Sequence, residues 1–369
     1  MIIKKLELKD FRNYENLELE FSRGTNIIYG DNAQGKTNIL EAIFMSATTK
    51  SHKGSRDKEV IRFGQTAAHI RSIIERDGAE YKLDMQLDAG RNKALALDGQ
   101  RIRKAADYLG RLNAVFFSPE DLGIVKNGPS ERRRFIDLEL CQLDGTYLYN
   151  LARYNRMLQQ RNKMLRDIYE HPDYKPLLEV QDDQMTDYAC KVIELRESFI
   201  RDLNEIIGPV HNKLTGGREE LRIYYEPNCR ADEYGSRLNA VRDRDMLLKQ
   251  TSIGPQKDDF SFIVKNVSDS KESDLRKYGS QGQQRTASLA LKLSEIELVK
   301  KAKGENPVLL LDDVLSELDS GRQNYLLDTI GDIQTIITCT GYDEFVNHRF
   351  EINRLFRVVS GHAMQENQK

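Results

Sequence analysis

Strand-like runs open the chain at Ile2–Leu8, Leu17–Phe21 and Thr25–Tyr29, with apolar side chains spaced to gather on a face of extended backbone. A helical stretch, Asn38–Ala47, follows the third run. Alternating segments return at Ile70–Glu75, Tyr81–Leu87 and Ala94–Leu97. Asp77-Gly78 and Asp98-Gly99 punctuate them and read as hairpin turns. Ala114–Phe117 predicts one more strand.

The middle of the chain changes period. Tyr147, Leu151, Tyr154, Leu158, Leu165 and Ile168 recur at three, four or seven residues, which is one face of a long helix. His171-Pro172 and Lys175-Pro176 break it. The pattern resumes with Met185, Tyr188, Val192, Leu195, Phe199, Leu203 and Ile206 and is expected to end at Gly208-Pro209. Two amphipathic helices about a proline break predict a short antiparallel hairpin arm, each limb roughly 40 Å long. Strands near Leu221–Tyr225 and Phe260–Val264 follow, then a helix after Ser280, a buried-type strand at Pro307–Leu311, a further helix, and a core strand at Ile333–Cys339. Val267–Ser273 is the most loop-like stretch.

Composition narrows the class. The 369 residues are 39 % hydrophobic and 31 % charged, as in a globular chain with a polar surface. No run approaches the ~20 apolar residues of a membrane span, and the first residues lack the apolar core of a signal peptide, so a cytoplasmic protein is expected. Four scattered cysteines without a CxxC pair argue against a disulfide framework or a zinc site. The net charge of −2 gives no overall pull toward nucleic acid. From Ile124 to Glu170, however, nine basic residues face six acidic ones.

The strongest chemical signal is Gly30-Asp31-Asn32-Ala33-Gln34-Gly35-Lys36-Thr37, a G-x-x-x-x-G-K-[ST] phosphate loop between a strand and a helix. Its backbone N–H groups can cradle the phosphates of ATP. Lys36 would reach the β- and γ-phosphates, and Thr37 would ligate Mg²⁺. The apolar run Val308–Leu311 ends in Asp312 and Asp313. Asp312 is the expected metal-side acid, and Asp313 is placed to orient or deprotonate the attacking water; a plain strand end is the alternative for the pair. Gly279-Ser280-Gln281-Gly282-Gln283 precedes a helix and by itself reads as a helix cap.

Arg132, Arg133 and Arg134 open another helix, and Arg153, Arg156 and Arg161 lie further along the arm. They are either DNA-phosphate contacts or a solvated helix face with one arginine in an interdomain salt bridge.

The order phosphate loop, Ser-x-Gly-Gln, acidic strand end, then Ser316-Glu317-Leu318-Asp319 resembles the ABC-type ATPases, in which the signature of one subunit caps the γ-phosphate held by another. The resemblance implies an ATP-dependent homodimer, with Ser280, Gln281, Gly282 and Gln283 acting in trans and Ser316 and Asp319 in a D-loop. The long span between the loop and Asp312 is similar to chromosome-maintenance (SMC-type) heads. DFRNYENLELEF, GDNAQGKTNILEAI, SPEDLGIVKNGPSERRRFID, GPQKDD, SQGQQRT and LDDVLSELD together resemble the RecF family over nearly the whole chain. By that resemblance Arg12 and Asn13 lie beside the nucleotide. Asn127 stands where the family commonly has glycine, and Gln256 where it has histidine. No glutamine is assigned to a Q-loop, and the switch stretch ITCTGYDEF lacks a histidine, which points to slow hydrolysis.

The expected architecture is α/β: a P-loop ABC-type ATPase head with a parallel-rich core sheet and flanking antiparallel strands, built from residues 1–125 and 251–369. A mainly helical second lobe at 126–250 would carry the arm. The resemblance implies a slow, DNA-stimulated ATPase, nucleoid-associated, whose dimer clamps DNA at single-strand gaps and stalled forks. It would assist RecO and RecR in loading RecA, in repair, replication restart and the SOS response. The rivals are the ATPase subunit of a membrane transporter or of a nuclease-associated complex.

Overall fold

The structure, a computed structural model, describes residues 1–268, 270–341 and 351–366. The chain falls into two compact units, one from Met1–Asp121 with Lys292–Lys369, the other from Leu122–Leu291. The expected boundary at residue 250 thus differs from the observed one. Residues 251–291 join the helical unit because β10 (Asp259–Asn266) pairs along its length with β9 (Glu219–Glu226).

The first stretch of chain forms β1 (Ile2–Phe11), β2 (Tyr14–Glu20), β3 (Thr25–Tyr29), α1 (Lys36–Thr48), β4 (Ala67–Arg76), β5 (Ala79–Asp88), β6 (Ala94–Leu97), β7 (Gln100–Ile102) and β8 (Ala114–Phe117). The second forms α2 (Leu122–Lys126), α3 (Pro129–Leu143), α4 (Gly145–Asp167), α5 (Tyr174–Leu214), β9, α6 (Tyr234–Ala240), α7 (Arg242–Leu248), β10, β11 (Glu272–Asp274) and α8 (Leu275–Tyr278), then enters α9 (Gln281–Lys303). The last forms β12 (Val308–Asp312), α10 (Ser320–Ile330), β13 (Thr335–Cys339), β14 (Ile352–Val359) and β15 (His362–Glu366).

Two sheets build the first unit. An antiparallel sheet runs β2-β1-β4-β5-β6-β7, and the core sheet runs β15-β14-β3-β13-β12-β8, parallel from β14 to β8. Parallel strands are covered on both faces, which is why Val308–Leu311 and Thr335–Cys339 are buried throughout instead of alternately. Asp77-Gly78 and Asp98-Gly99 all have positive φ and close the β4–β5 and β6–β7 hairpins. The β14–β15 hairpin was not predicted.

In the second unit α4 packs on α5, and β9, β10 and β11 form a three-stranded antiparallel sheet. The arm departs from expectation in its second limb, which already includes Lys175-Pro176 in its first turn. Helix α5 does not stop at Gly208-Pro209 but runs 41 residues with Pro209 inside, about 60 Å at 1.5 Å per residue. The buried face continues across the proline, with Ile207 before it and His211 after it fully covered, and α5 packs on β9. That packing outweighs the ~3 kcal/mol a mid-helix proline costs. Among the described residues no helix is long and apolar enough to cross a membrane.

Candidate functional site

Strand β3 delivers the chain into the phosphate loop, and the loop is seated from two sides. The Asn13 side-chain amide, from the β1–β2 turn, donates to the Gln34 carbonyl (2.9 Å), and the hydroxyl of Tyr14, the first residue of β2, to the Gly35 carbonyl (3.0 Å). From the β14–β15 turn, the Ser360 N–H donates to Gln34 Oε1 (2.6 Å). Gly30 and Gly35 have φ of 147° and 114°, and a Cβ on either would lie 2.4 Å from the Val358 carbonyl oxygen or 2.3 Å from Asn13 Nδ2. Only glycine fits such a seat.

Lys36 folds back over the loop, its ammonium donating to the carbonyls of Gly30 (2.6 Å) and Asp31 (2.8 Å). Burial pushes it below the ordinary lysine range, against the pull of Asp313 and Asp312. The Thr37 hydroxyl donates to Asp312 Oδ1 (2.8 Å), and so does the Thr338 hydroxyl (2.7 Å). Asp313 has φ of 52°, the left-handed region that aspartate tolerates better than most residues, and its N–H donates to the Thr338 carbonyl (3.2 Å). Ser316 Oγ donates to the Asp313 carbonyl (2.9 Å). Asp319 caps α10 by accepting from the Arg322 N–H (3.1 Å), which holds its carboxyl below the usual range.

Lys36, Thr37, Asp312, Asp313 and Thr338 line a cavity of about 370 Å³ together with Asn32, Ala33, Gly35, Asn38, Lys53, Ser118, Pro119 and Glu120, while Ser316 and Asp319 lie outside its lining. Its donors are hard oxygens, a hydroxyl beside a carboxylate, which fit Mg²⁺ completed by phosphate oxygens and water. Among the described residues no three His, Cys, Asp or Glu side chains gather to hold a metal on their own. Sequence reasoning missed Thr338, Lys53 and the Ser118–Glu120 loop after β8. Only the acidic Ser-Pro-Glu-Asp turn gave a signal, and it carried no role. Residues 342–345 of the switch stretch lie outside the described residues.

Arg12 is tied to α1. Its guanidinium makes two 2.7 Å contacts with the fully buried Glu41 of α1 and donates to Ser55 Oγ (2.8 Å). It therefore braces α1, while Asn13 touches the loop itself. Burial pushes the Glu41 carboxyl up, but hydrogen bonds from Arg12 and Ser51 outweigh it and leave the group below its usual range.

In the second unit, Ser280 and Gln283 bond reciprocally: the Ser280 N–H donates to Gln283 Oε1 (2.9 Å) and the Gln283 N–H to Ser280 Oγ (3.2 Å). This capping box starts α9 with Ser280, Gln281 and Gly282 exposed. The Gln283 amide also donates to Glu219 of β9 (2.8 Å).

Two arginines offered as DNA contacts are buried instead. Arg132, 1 % exposed, pairs with Asp259 (2.6 Å), inside the second unit and not between domains. Arg161 is fully enclosed between Asp182 (2.6 Å) and Asp245 (2.7 Å). Arg133 donates to the Asp258 carbonyl (2.7 Å), and Arg134 lies 3.9 Å from Glu131. Arg153 and Arg156 are exposed on α4, with Lys163 and Arg166 further along it. No carboxylate occurs between Gly145 and Arg166, and these four cations carry no ion pair among the described residues.

Residues 2–365 match the profile of the RecF/RecN/SMC N terminal domain. The DNA replication and repair protein RecF of Agathobacter rectalis is 57 % identical over 98 % of this chain and 98 % of its own. The chain belongs to the RecF family. A solved structure described as the recombination mediator protein RecF-ATP in the RecFOR pathway is 33 % identical, covers 99 % of this chain and 97 % of its own, and superposes with a TM-score of 0.89. An Smc head domain from Pyrococcus furiosus shares the fold, with 18 % identity, a TM-score of 0.54, and coverage of 99 % of this chain and 95 % of its own. The RecF family is one of ABC/SMC-type ATPases.

Proposed function

We propose that this chain is an ATP-gated DNA clamp of the RecF type. The observation carrying the reading is the convergence of Lys36, Thr37, Asp312, Asp313 and Thr338 on one cavity. Lys36 exchanges its two carbonyl acceptors for β- and γ-phosphate oxygens. Thr37 and Asp312 hold Mg²⁺, which supplies positive charge to the phosphate oxygens. Asp313 orients the attacking water and accepts its proton. The exposed cap at Ser280 presents a helix N-terminus and a hydroxyl to the γ-phosphate of a second copy, so ATP joins two heads.

DNA lies against α4, where Arg153, Arg156, Lys163 and Arg166 span roughly 20 Å of helix. Hydrolysis separates the heads, and DNA accelerates it. In the cell the dimer marks single-strand gaps and stalled forks and helps RecO and RecR load RecA; the RecFOR description of the ATP-bound relative supports this part.

The test is Asp313→Asn in the full chain. It should bind ATP, stall before hydrolysis and sediment as a persistent dimer with DNA held tightly. A variant that stays monomeric in ATP while the unaltered protein dimerises overturns the reading.

A further inference from the structure

Residues 49–66, which link α1 to β4, hold five basic residues against two acidic ones. Inward contacts pin this loop. Lys93 Nζ donates to the Thr49 carbonyl (2.6 Å) and to Asp57 (2.8 Å). Arg12 donates to Ser55 Oγ (2.8 Å) and to the Glu59 carbonyl (3.0 Å), and the His52 ring stacks on Phe116 at 4.1 Å. Both acids are engaged within the loop's own framework: Asp57 by Lys93, and Glu59 by the Arg56 N–H (2.9 Å). Lys50, Arg56 and Lys58 are exposed and have no carboxylate partner among the described residues. Arg62 is held by Glu15 (3.1 Å), and the next residue, Phe63, is wholly exposed beside a Gly64 with open space around it.

A lone exposed phenylalanine needs no explanation on most surfaces. Here it follows a loop that is already ordered and in which Lys50, Arg56 and Lys58 outnumber Glu59, the one acid of the loop without a cation partner among the described residues. Little freedom remains to be lost when such a surface engages a polyanion. Duplex bases have both faces covered by neighbours, whereas a single strand offers bare ones. We infer that residues 50–63 form a contact for single-stranded DNA, with Lys50, Arg56 and Lys58 on backbone phosphates and Phe63 beneath an unstacked base. The inference rests on the clamp reading and adds to it a surface on the ATPase unit.

The experiment measures binding of the full chain, with saturating ATP, to oligo(dT), to an abasic strand of equal length and to duplex. Lys50→Ala/Arg56→Ala/Lys58→Ala should make the slope of log affinity against log salt on oligo(dT) shallower by about 2, at ~0.7 per lost phosphate contact. Phe63→Ala should weaken oligo(dT) binding by about 5- to 100-fold and leave the abasic strand and the duplex unchanged. ATP turnover without DNA reports that each variant is folded. Unchanged oligo(dT) binding, or an equal loss on the abasic strand, overturns the inference. A loss of ATP affinity in Phe63→Ala also overturns it and assigns the ring to nucleotide. If the unaltered protein binds no DNA at all, the clamp reading fails and this one falls with it.

Discussion

Two hydroxyls, from Thr37 and Thr338, donate to the same oxygen of Asp312. Thr37 belongs to the phosphate loop, so Thr338 is the group that holds the carboxylate from the sheet side. Thr338→Val removes a hydrogen bond to a charged acceptor, worth about 1.5–3 kcal/mol. It should slow single-turnover hydrolysis by roughly 10- to 100-fold and leave nucleotide affinity within a few-fold. Unchanged hydrolysis would show the contact to be idle. Lys36→Ala should abolish tight ATP binding, and Lys36→Arg should bind ATP yet hydrolyse poorly, since a guanidinium keeps the charge but not the point geometry. Nucleotide titration of both variants checks this; full affinity in a folded Lys36→Ala chain contradicts the site. At this scale the loop, Asp312 and Asp313 were legible because glycine, lysine and paired acids announce themselves at fixed spacing. Thr338 was not, because a threonine in a β-rich apolar run looks like any strand residue until the neighbouring strand is known.

Helix α4 shows how one face can hide a charge. Its apolar series jumps seven residues from Leu158 to Leu165, and the position that fills the gap on the same face is Arg161, buried between two aspartates. An arginine there reads from sequence as part of a basic cluster, although the periodicity already placed it inside. The distinction can be measured. Arg161→Met leaves Asp182 and Asp245 buried without that cation and should cost about 3–5 kcal/mol in urea unfolding. Arg156→Met, on the exposed face, should change stability by no more than about 0.5 kcal/mol. It should instead make the salt slope of DNA binding shallower by ~0.7–0.9. The opposite pattern would mean that the roles of the two arginines have been exchanged. The Asp-Gly hairpins were readable because two residues set their geometry locally. The passage of α5 through Pro209 was not, because packing on β9, a tertiary contact with no local signature at the proline, decides it.

For the molecule as a whole, the proposed ATP-joined dimer rests on the exposed signature cap at Ser280, which lies on the second unit. Ser280→Arg places a bulky cation at an exposed helix start without touching the nucleotide cavity. The variant should bind ATP as the unaltered protein does, remain monomeric in sedimentation with ATP, and lose most of the ATP-dependent gain in DNA affinity. A dimer of normal strength would remove Ser280 from the interface. The order of motifs made the ATPase class legible, since each has local chemistry. Where one unit gives way to the other was not legible, because the pairing of β10 with β9 leaves no punctuation in the sequence.

Strand β3 has a consequence for how the protein is made. It is synthesised roughly 300 residues before its two neighbours in the core sheet, β13 at Thr335–Cys339 and β14 at Ile352–Val359. Throughout synthesis its apolar edges have no native strand to pair with, a state prone to misassembly. The turn that supports Gln34 emerges after the first residues of both β13 and β14, far later than the loop it seats. A chain stalled or clipped before that turn carries an intact phosphate-loop sequence with half of its seat missing, so tight nucleotide binding reports that β14 and its turn have been made and docked.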